Sequence, residues 1–485
     1  MAIELSNITF TDEDDIVPAS GVEEIFNNGI ANTLAGNDII TGENTYFTGE
    51  DPYFGPNSRN AGIRNQYGGI IDTGDGNDTI TGIYNELNGD PSPGFGIYSI
   101  QATIDTGYGD DIITGTSGAS ISPGFGIQYE TSTIDTGEGN DIITGIVQGR
   151  GGRGITNAYG TIDTGNGNDI ITGTALRGIS FQFSSIVTTG DGNDTITGTS
   201  TGDTVTPGIG LENLDFLDTG DSDDIITGTA AHGYGIVNQG NMTTGDGNDT
   251  ITGIGGINHS GLYNAFLYGT INTGNGADSI ISQGKLINWG GVFLGEGNDS
   301  ITANADFPNR TLENFNIIEM GDGNDLIAST GVIYNEGIIN TGNGEDLIIV
   351  YGGSDGTGSP YGGPDGTGNV SGIYNNGGTI NTGDGNDSII ANQGFRSGLN
   401  NSGSLFLGNG EDYLQGFGSG DFYGGNDEDT LELTSGSYTV GIWDTSAVFT
   451  KGNQLMITSE FEKLIAGGTM YDFINLTEGQ TIFVA

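Results

Sequence analysis

Along most of the chain, apolar and polar residues alternate in short runs, and each run is bounded by glycine, asparagine and aspartate. The pattern is complete in Ile70-Ile-Asp-Thr-Gly-Asp-Gly-Asn-Asp-Thr-Ile-Thr-Gly82. Here Ile80 points inward from a short strand while Thr79 and Thr81 point outward. Gly74 and Gly76 permit positive φ and bring bare backbone carbonyls into a tight turn ahead of that strand. The segment recurs: Asp78 is answered by Asp38, Asp111, Asp141, Asp169, Asp194, Asp224, Asp249, Asp278, Asp299, Asp325, Asp346, Asp387 and Asp412. A weaker copy follows at Asp429. A period of this length means stacked coils, so the expected fold is all-β, a right-handed parallel β-solenoid (β-roll or β-helix) with small terminal caps.

A second motif, Gly-Ile-x-Asn, alternates with the first. It ends at Asn65, Asn157, Asn238 and Asn375, with Gly-Leu-Tyr-Asn ending at Asn264, and looser copies end at Asn213, Asn288, Asn314, Asn335 and Asn401. Stacked asparagines in a solenoid corner hydrogen-bond to one another and to backbone, which predicts a structural ladder. From each asparagine to the next aspartate the spacing barely moves, as in 157 to 169 and 238 to 249. From aspartate to the next asparagine it varies widely, as in 278 to 288 and 346 to 375. One arc of the coil is therefore fixed and every insertion falls on the other, where loops gather on one face. The insertions Ser92–Ile97, Ser122–Ile127 and 351–368 read as Gly- and Pro-rich loop decoration whose Tyr and Phe offer a contact surface.

The repeated turn has a chemistry. A carboxylate beside glycine carbonyls supplies oxygen ligands only, which suits a hard cation such as calcium. A single copy reads as a solvated Gly-Asn-Asp turn; recurrence at one offset from an inward Ile favours the metal. The core also resembles the repeats-in-toxin (hemolysin-type calcium-binding) nonapeptide, Gly-Gly-x-Gly-x-Asp-x-(Leu/Ile)-x, with Thr73 in place of the first glycine. The resemblance implies calcium between stacked turns, with Asp78 and its equivalents as side-chain ligands and the Gly74 and Gly76 carbonyls completing the shell. That family pairs two such motifs per coil, whereas only one corner here keeps the acids, so the chain looks like an enlarged, one-sided relative. Leu34, Ser222 and Asp427 replace motif glycines before Asp38, Asp224 and Asp429.

Composition narrows the function. The 485 residues carry a net charge of −53, which disfavours nucleic acid and anionic membrane surfaces as partners. One divalent ion per motif would offset about half of that charge, so the cation-free chain is expected to be largely disordered. Cysteine is absent, so disulfides staple nothing. Enzymatic constellations do not emerge: His232 and His259 sit in inserted loops outside any motif, the 10 Lys and Arg are scattered, and the turn motif already accounts for the paired acids.

Residues 1–28 carry no repeat and are expected to be an N-terminal cap or docking segment, with a solvated acidic cluster at Thr11–Asp15 and one helical turn at Val22–Phe26. The array is expected over 29–429. Residues 430–485 are expected to form a β cap, with antiparallel strands at Thr430–Thr434, Ser437–Val440 and Gln454–Thr458. Met470 occupies a motif glycine position ahead of Asp472, which weakens a last metal site there. The N-terminus lacks secretory-signal features, and the resemblance implies one-step type I export guided by the C-terminus, for which Gln480–Ala485 is apolar enough. The sequence reading is a secreted, extracellular or cell-surface protein, stabilised by multiple calcium ions, that self-associates through the solenoid ends into a fibre, sheath, matrix or surface layer. The alternative is a monomeric adhesin for carbohydrate, a cell surface or ice, with outward threonines such as Thr81, Thr114 and Thr144 in a row.

Overall fold

The computed structural model describes residues 2–18, 23–44, 60–85, 94–118, 125–149, 151–265, 269–305, 310–352, 372–397 and 403–485. The full repeat is one coil of three strands; the last, ending at Asp429, keeps only a single bridge, Phe395 to Gly418, in place of its sheet 1 strand. In the coil around Asp78, Asn60–Gln66 lies in sheet 1, Ile70–Asp72 in sheet 2 and Thr79–Tyr84 in sheet 3, with the glycine turn between sheets 2 and 3. The next coil adds one parallel strand to each sheet in register, pairing Ile63 with Ile97, Ile71 with Ile104 and Ile80 with Ile113. The expected parallel β-solenoid is therefore the fold. The arc from sheet 1 through sheet 2 to sheet 3 is the one whose length the sequence holds fixed, and the insertions fall between sheet 3 and the next sheet 1. Among the described residues no helix is long and apolar enough to cross a membrane.

The chain divides into two compact units, Met1–Leu262 and Tyr263–Ala485. In the first, each coil contributes at least one inward apolar side chain from each sheet. Ile63, Ile71 and Ile80 are all fully buried, as are their counterparts Ile97, Ile104 and Ile113. Each such side chain contributes about 2–3 kcal/mol of hydrophobic stabilisation. Sheets 1 and 3 meet backbone to backbone: a Cβ on Gly82 would lie 2.3 Å from the Gly96 carbonyl oxygen. The Gly closing Thr-Ile-Thr-Gly and the Gly opening Gly-Ile-x-Asn are thus two halves of one contact, a pairing the motifs alone did not disclose. Gly94–Ile100 is a strand with Phe95 fully buried, so Gly94–Ile97 is core and not loop decoration. Residues 92–93, 122–124 and 353–368 lie outside the described residues.

The N-terminal segment already carries an abbreviated coil. Ile3–Glu4 pairs with Ile25–Phe26 in sheet 1, and Ile16–Val17 pairs with Ile39–Ile40 in sheet 3. Leu5, fully buried, fills the core from a single 3-10 turn at Leu5–Asn7. Ile25–Asn27 is a strand, not a helical turn, because its register partners Ile63–Asn65 extend it; Val22 lies outside the described residues.

In the second unit several coils are shorter, such as the 21 residues from Asp278 to Asp299, but the one from Asp346 to Asp387 takes 41. Ser282, Ala303 and Ser329 stand where the first unit has the Thr-Ile-Thr-Gly glycine. Thr430–Leu433 continues sheet 3 in parallel with Tyr413–Gln415, which corrects the expected antiparallel strand there; its inward Leu431 pairs with Leu414. Strand direction reverses beyond it. Gly436–Trp443 runs antiparallel to both Ser446–Lys451 and Thr481–Val484, and Lys463–Ala466 runs antiparallel to Thr469–Asp472. Gln454–Ser459 is the seam, parallel to Gly420–Tyr423 on one side and antiparallel to Ser446–Lys451 on the other.

Candidate functional site

The motif aspartates stack into a column just inside the glycine turn. In the first unit the backbone N–H of each donates to Oδ1 of the next: Asp38 to Asp78 and Asp78 to Asp111, both 2.7 Å, and so on to Asp224 and Asp249 at 2.8 Å. In the second unit the same ladder runs from Asp278 and Asp299 (2.8 Å) to Asp412 and Asp429 (3.0 Å). The glycine turn makes this possible. Gly76 has φ +147°, and a Cβ there would lie 1.8 Å from the Gly36 carbonyl oxygen. Glycine meets both the backbone conformation and the stacking distance without strain; Ser222 (φ +103°) and Asp427 (φ +86°) hold the same position at a left-handed backbone cost.

Two members were missed in the sequence. The Asp15 N–H donates to Asp38 Oδ1 at 2.7 Å, so Thr11–Asp15 is a degenerate first copy of the turn and not merely a solvated cluster. At the other end, the Asp429 N–H donates to Glu462 Oε2 at 2.9 Å, so Glu462 takes the position of the aspartate. Asp421 is not in the column; it pairs with Ser404 in sheet 2. Asp472 is bound instead to Lys463 at 2.8 Å in the terminal hairpin.

The second carboxylate oxygen is what distinguishes this column. Oδ2 of Asp38, Asp78, Asp111, Asp141, Asp169, Asp194 and Asp224 is buried with no hydrogen-bond partner, and so is Oδ2 of Asp299, Asp325, Asp346, Asp387, Asp412 and Asp429. An unmet buried polar atom costs on the order of 1–3 kcal/mol, more for a charged group. Repetition of the same bare atom in coil after coil makes the column a candidate position for a proton or a cation. Ion pairs of the described residues, such as Arg64–Glu24, Arg177–Glu212 and Lys285–Glu313, leave these thirteen carboxylates untouched.

Burial drives the electrostatics. It pushes the Asp78 carboxyl up to about 6, while the Asp38 N–H and the Thr73 hydroxyl pull it partly back. Asp111 and Asp169 rise to about 7 and Asp224 to about 8, chiefly by desolvation, with the adjacent carboxylates adding repulsion. In the second unit Asp299 and Asp412 rise to about 6, and Asp325, Asp387 and Asp429 to about 7, from the same first cause. A carboxylate held this way binds a proton or a metal ion more readily than a solvated one.

The turns beside the column bring backbone carbonyls together from coil to coil. The Gly74 carbonyl accepts the Tyr108 N–H at 3.2 Å, and the Gly76 carbonyl lies against Gly109, where a Cβ would be 1.7 Å away. Among the described residues no three acidic, histidine or cysteine side chains converge on one point. A cation here would take one or two carboxylates and draw its other ligands from backbone carbonyls, which fits a hard ion and not a thiophilic one. A further acid row, also missed, lies on the outer face of sheet 2: Asp72, Asp105 and Asp135 pair in register. Desolvation raises all three carboxyls, with mutual repulsion adding at Asp105 and Asp135. The recurrent Asp-Thr-Gly ahead of the turn was its signal.

The second corner holds the asparagine ladder. Asn288 Nδ2 donates to Asn314 Oδ1 at 2.9 Å, and Asn314 Nδ2 to Asn335 at 2.8 Å. Each also donates to a sheet 2 carbonyl, Asn288 to Ile317 at 2.8 Å and Asn314 to Ile338 at 2.9 Å. Fully buried Ser99 and Phe181 interrupt it in the first unit. Asn401 lies outside the described residues; Ser397 occupies the register position opposite Asn375. His259 sits edge-on to Tyr234 at 5.2 Å, away from the carboxylate column. No protein-family model matches the chain, and no curated protein matches it.

Proposed function

We propose that the chain is a secreted, calcium-stabilised structural protein that self-associates outside the cell. The observation that carries this reading is the column of buried carboxylates whose Oδ2 atoms have no partner. Bound calcium supplies positive charge to that column and takes oxygen ligands from it. The aspartates bind, the glycine carbonyls approach without side chains in the way, and the Thr73-type hydroxyls tie one turn to the next, as Thr73 does by donating to the Thr106 carbonyl. A chain of −53 charge with that column bare resists compaction, so cation supply would govern folding. Low calcium inside the cell and abundant calcium outside would couple export to folding. Kinship with the repeats-in-toxin proteins belongs to the same proposal and rests on the turn motif.

Negative-stain electron microscopy of the purified chain tests the structural role. Ordered assemblies in millimolar calcium that vanish with chelator are expected. Isolated particles in both conditions would favour the monomeric adhesin.

A further inference from the structure

We infer that the outer face of sheet 3 in the first unit is the surface by which two copies of this chain associate side by side, face to face. This rests on the self-association proposed above and names the surface that performs it.

The face is unlike the rest of the protein. It spans eight strands, from Ile39–Asn44 to Thr250–Ile254, and its middle column is threonine in every one, from Thr41 through Thr144 to Thr252. The two flanking columns hold only isoleucine and threonine, apart from Glu43 on the first strand. Strictly parallel, unshifted register keeps the columns straight. Ile39, Ile112, Ile170 and Ile225 are 38–45% exposed. A single charge on so large a face is anomalous in a chain with 63 acids. The other faces of this unit do not offer the same approach: sheet 2 presents Asp72, Asp105 and Asp135 outward, and the outward side chains of sheet 1, such as Arg64, Thr156 and Ser180, are buried. Two polyanions meet most readily where charge is sparse, and among the described faces of this unit this one carries the least. In the second unit the same face is broken by Tyr413, Glu432 and Lys463, so the inference belongs to the first unit alone.

Size agrees with the occupant. Eight strands at about 4.8 Å by six residues at about 3.3 Å give roughly 750 Å² per copy. Two copies bury about 1,500 Å², within the range of about 1,200–2,000 Å² for specific interfaces. A two-fold axis through the face makes the contact isologous and lets the isoleucine and threonine columns interdigitate as in a β-sandwich.

The test uses the full chain in millimolar calcium. Sedimentation equilibrium of the natural protein is expected to give an even-numbered assembly, and the double variant Thr144→Lys/Thr197→Lys is expected to lose it at unchanged circular dichroism. The companion Thr144→Val/Thr197→Val keeps the face uncharged and is expected to keep the assembly, which separates loss of the interface from loss of the fold. Because the chain has no cysteine, Thr172→Cys places one thiol near the centre of the face; a short bis-maleimide is expected to cross-link it between copies, and Asn168→Cys on the turn is not. A natural protein that is monomeric at tens of micromolar, or a lysine variant of unchanged mass, overturns the inference. So does a monomer whose lysine variant loses retention on ice or on a crystalline polysaccharide, since the face would then have a different occupant. Filaments that persist in the lysine variant place the contact at the solenoid ends and overturn the face alone, whereas indifference to chelator fails the calcium reading and leaves the face standing.

Discussion

The aspartate of the repeat does two jobs through its two oxygens. Oδ1 ties coil to coil, and Oδ2 is left for a cation. Asn at this position keeps the first oxygen and removes the charge. Asp169→Asn is therefore expected to raise the unfolding midpoint in chelator, because a desolvated negative charge is gone, and to lower it in calcium by an amount on the order of 1–3 kcal/mol. Thermal unfolding in the two buffers checks both signs. The glycines are equally specific. Gly167→Ala would bring a Cβ within 1.4 Å of the Gly139 carbonyl oxygen and is expected to force the turn to shift, as the turn at Ser222 does at φ +103°, at a cost larger than that of Gly68→Ala. Gly68→Ala, at φ +87° but with open space around it, is expected to cost only the left-handed backbone penalty, about 1–2 kcal/mol. Urea unfolding of both variants makes the comparison. At this scale the sequence was readable wherever the turn kept its glycines. Asp15 escaped because Glu13 sits where a glycine belongs, and Glu462 escaped because a longer acid stands in the aspartate's register.

At the scale of the element, the fixed spacing between asparagine and aspartate predicted the invariant arc of sheet 1, sheet 2 and turn. The ladder that anchors it is satisfied at every donor seen for Asn314. Asn314→Ala removes bonds to Asn335 and to the Ile338 carbonyl and is expected to cost about 2–4 kcal/mol. Asn392→Ala, exposed and outside the ladder, is expected to change stability by less than about 0.5 kcal/mol. Chemical denaturation of the two variants reports the difference. What the sequence hid at this scale is contact between elements. Nothing in Thr-Ile-Thr-Gly alone says that its glycine meets the glycine of Gly-Ile-x-Asn, and period-two alternation at Thr430–Leu433 does not distinguish a parallel strand from an antiparallel one. Phe95 looked like loop decoration because it follows Ser-Pro-Gly, yet the strand it opens is buried on both faces.

For the molecule as a whole, the raised carboxyls invert the usual acid response. Unfolded aspartates titrate near 3.9, whereas Asp78 and Asp194 titrate near 6, Asp111 and Asp169 near 7 and Asp224 near 8 in the folded state. Between about pH 4 and pH 8 the cation-free folded state therefore binds more protons than the unfolded state. Its stability is greatest below about pH 4 and is lost as pH rises through 6 to 8. Unfolding midpoints in chelator are expected to climb on acidification, and a fall over the same range would contradict the burial of the column. Calcium is expected to flatten or reverse that slope by holding the carboxylates ionised. The fold class was legible because one motif recurs fourteen times; which face copies share was not, because it emerges only when straight columns are stacked. The account rests on the carboxylate column as a cation site, and the most direct measurement is a calcium titration of chelated protein at pH 7.5, followed by far-ultraviolet circular dichroism and calorimetry together. The account predicts a cooperative gain of β-structure accompanied by heat of binding at a stoichiometry of many ions per chain. Full β-structure in chelator with no heat on adding calcium would contradict it.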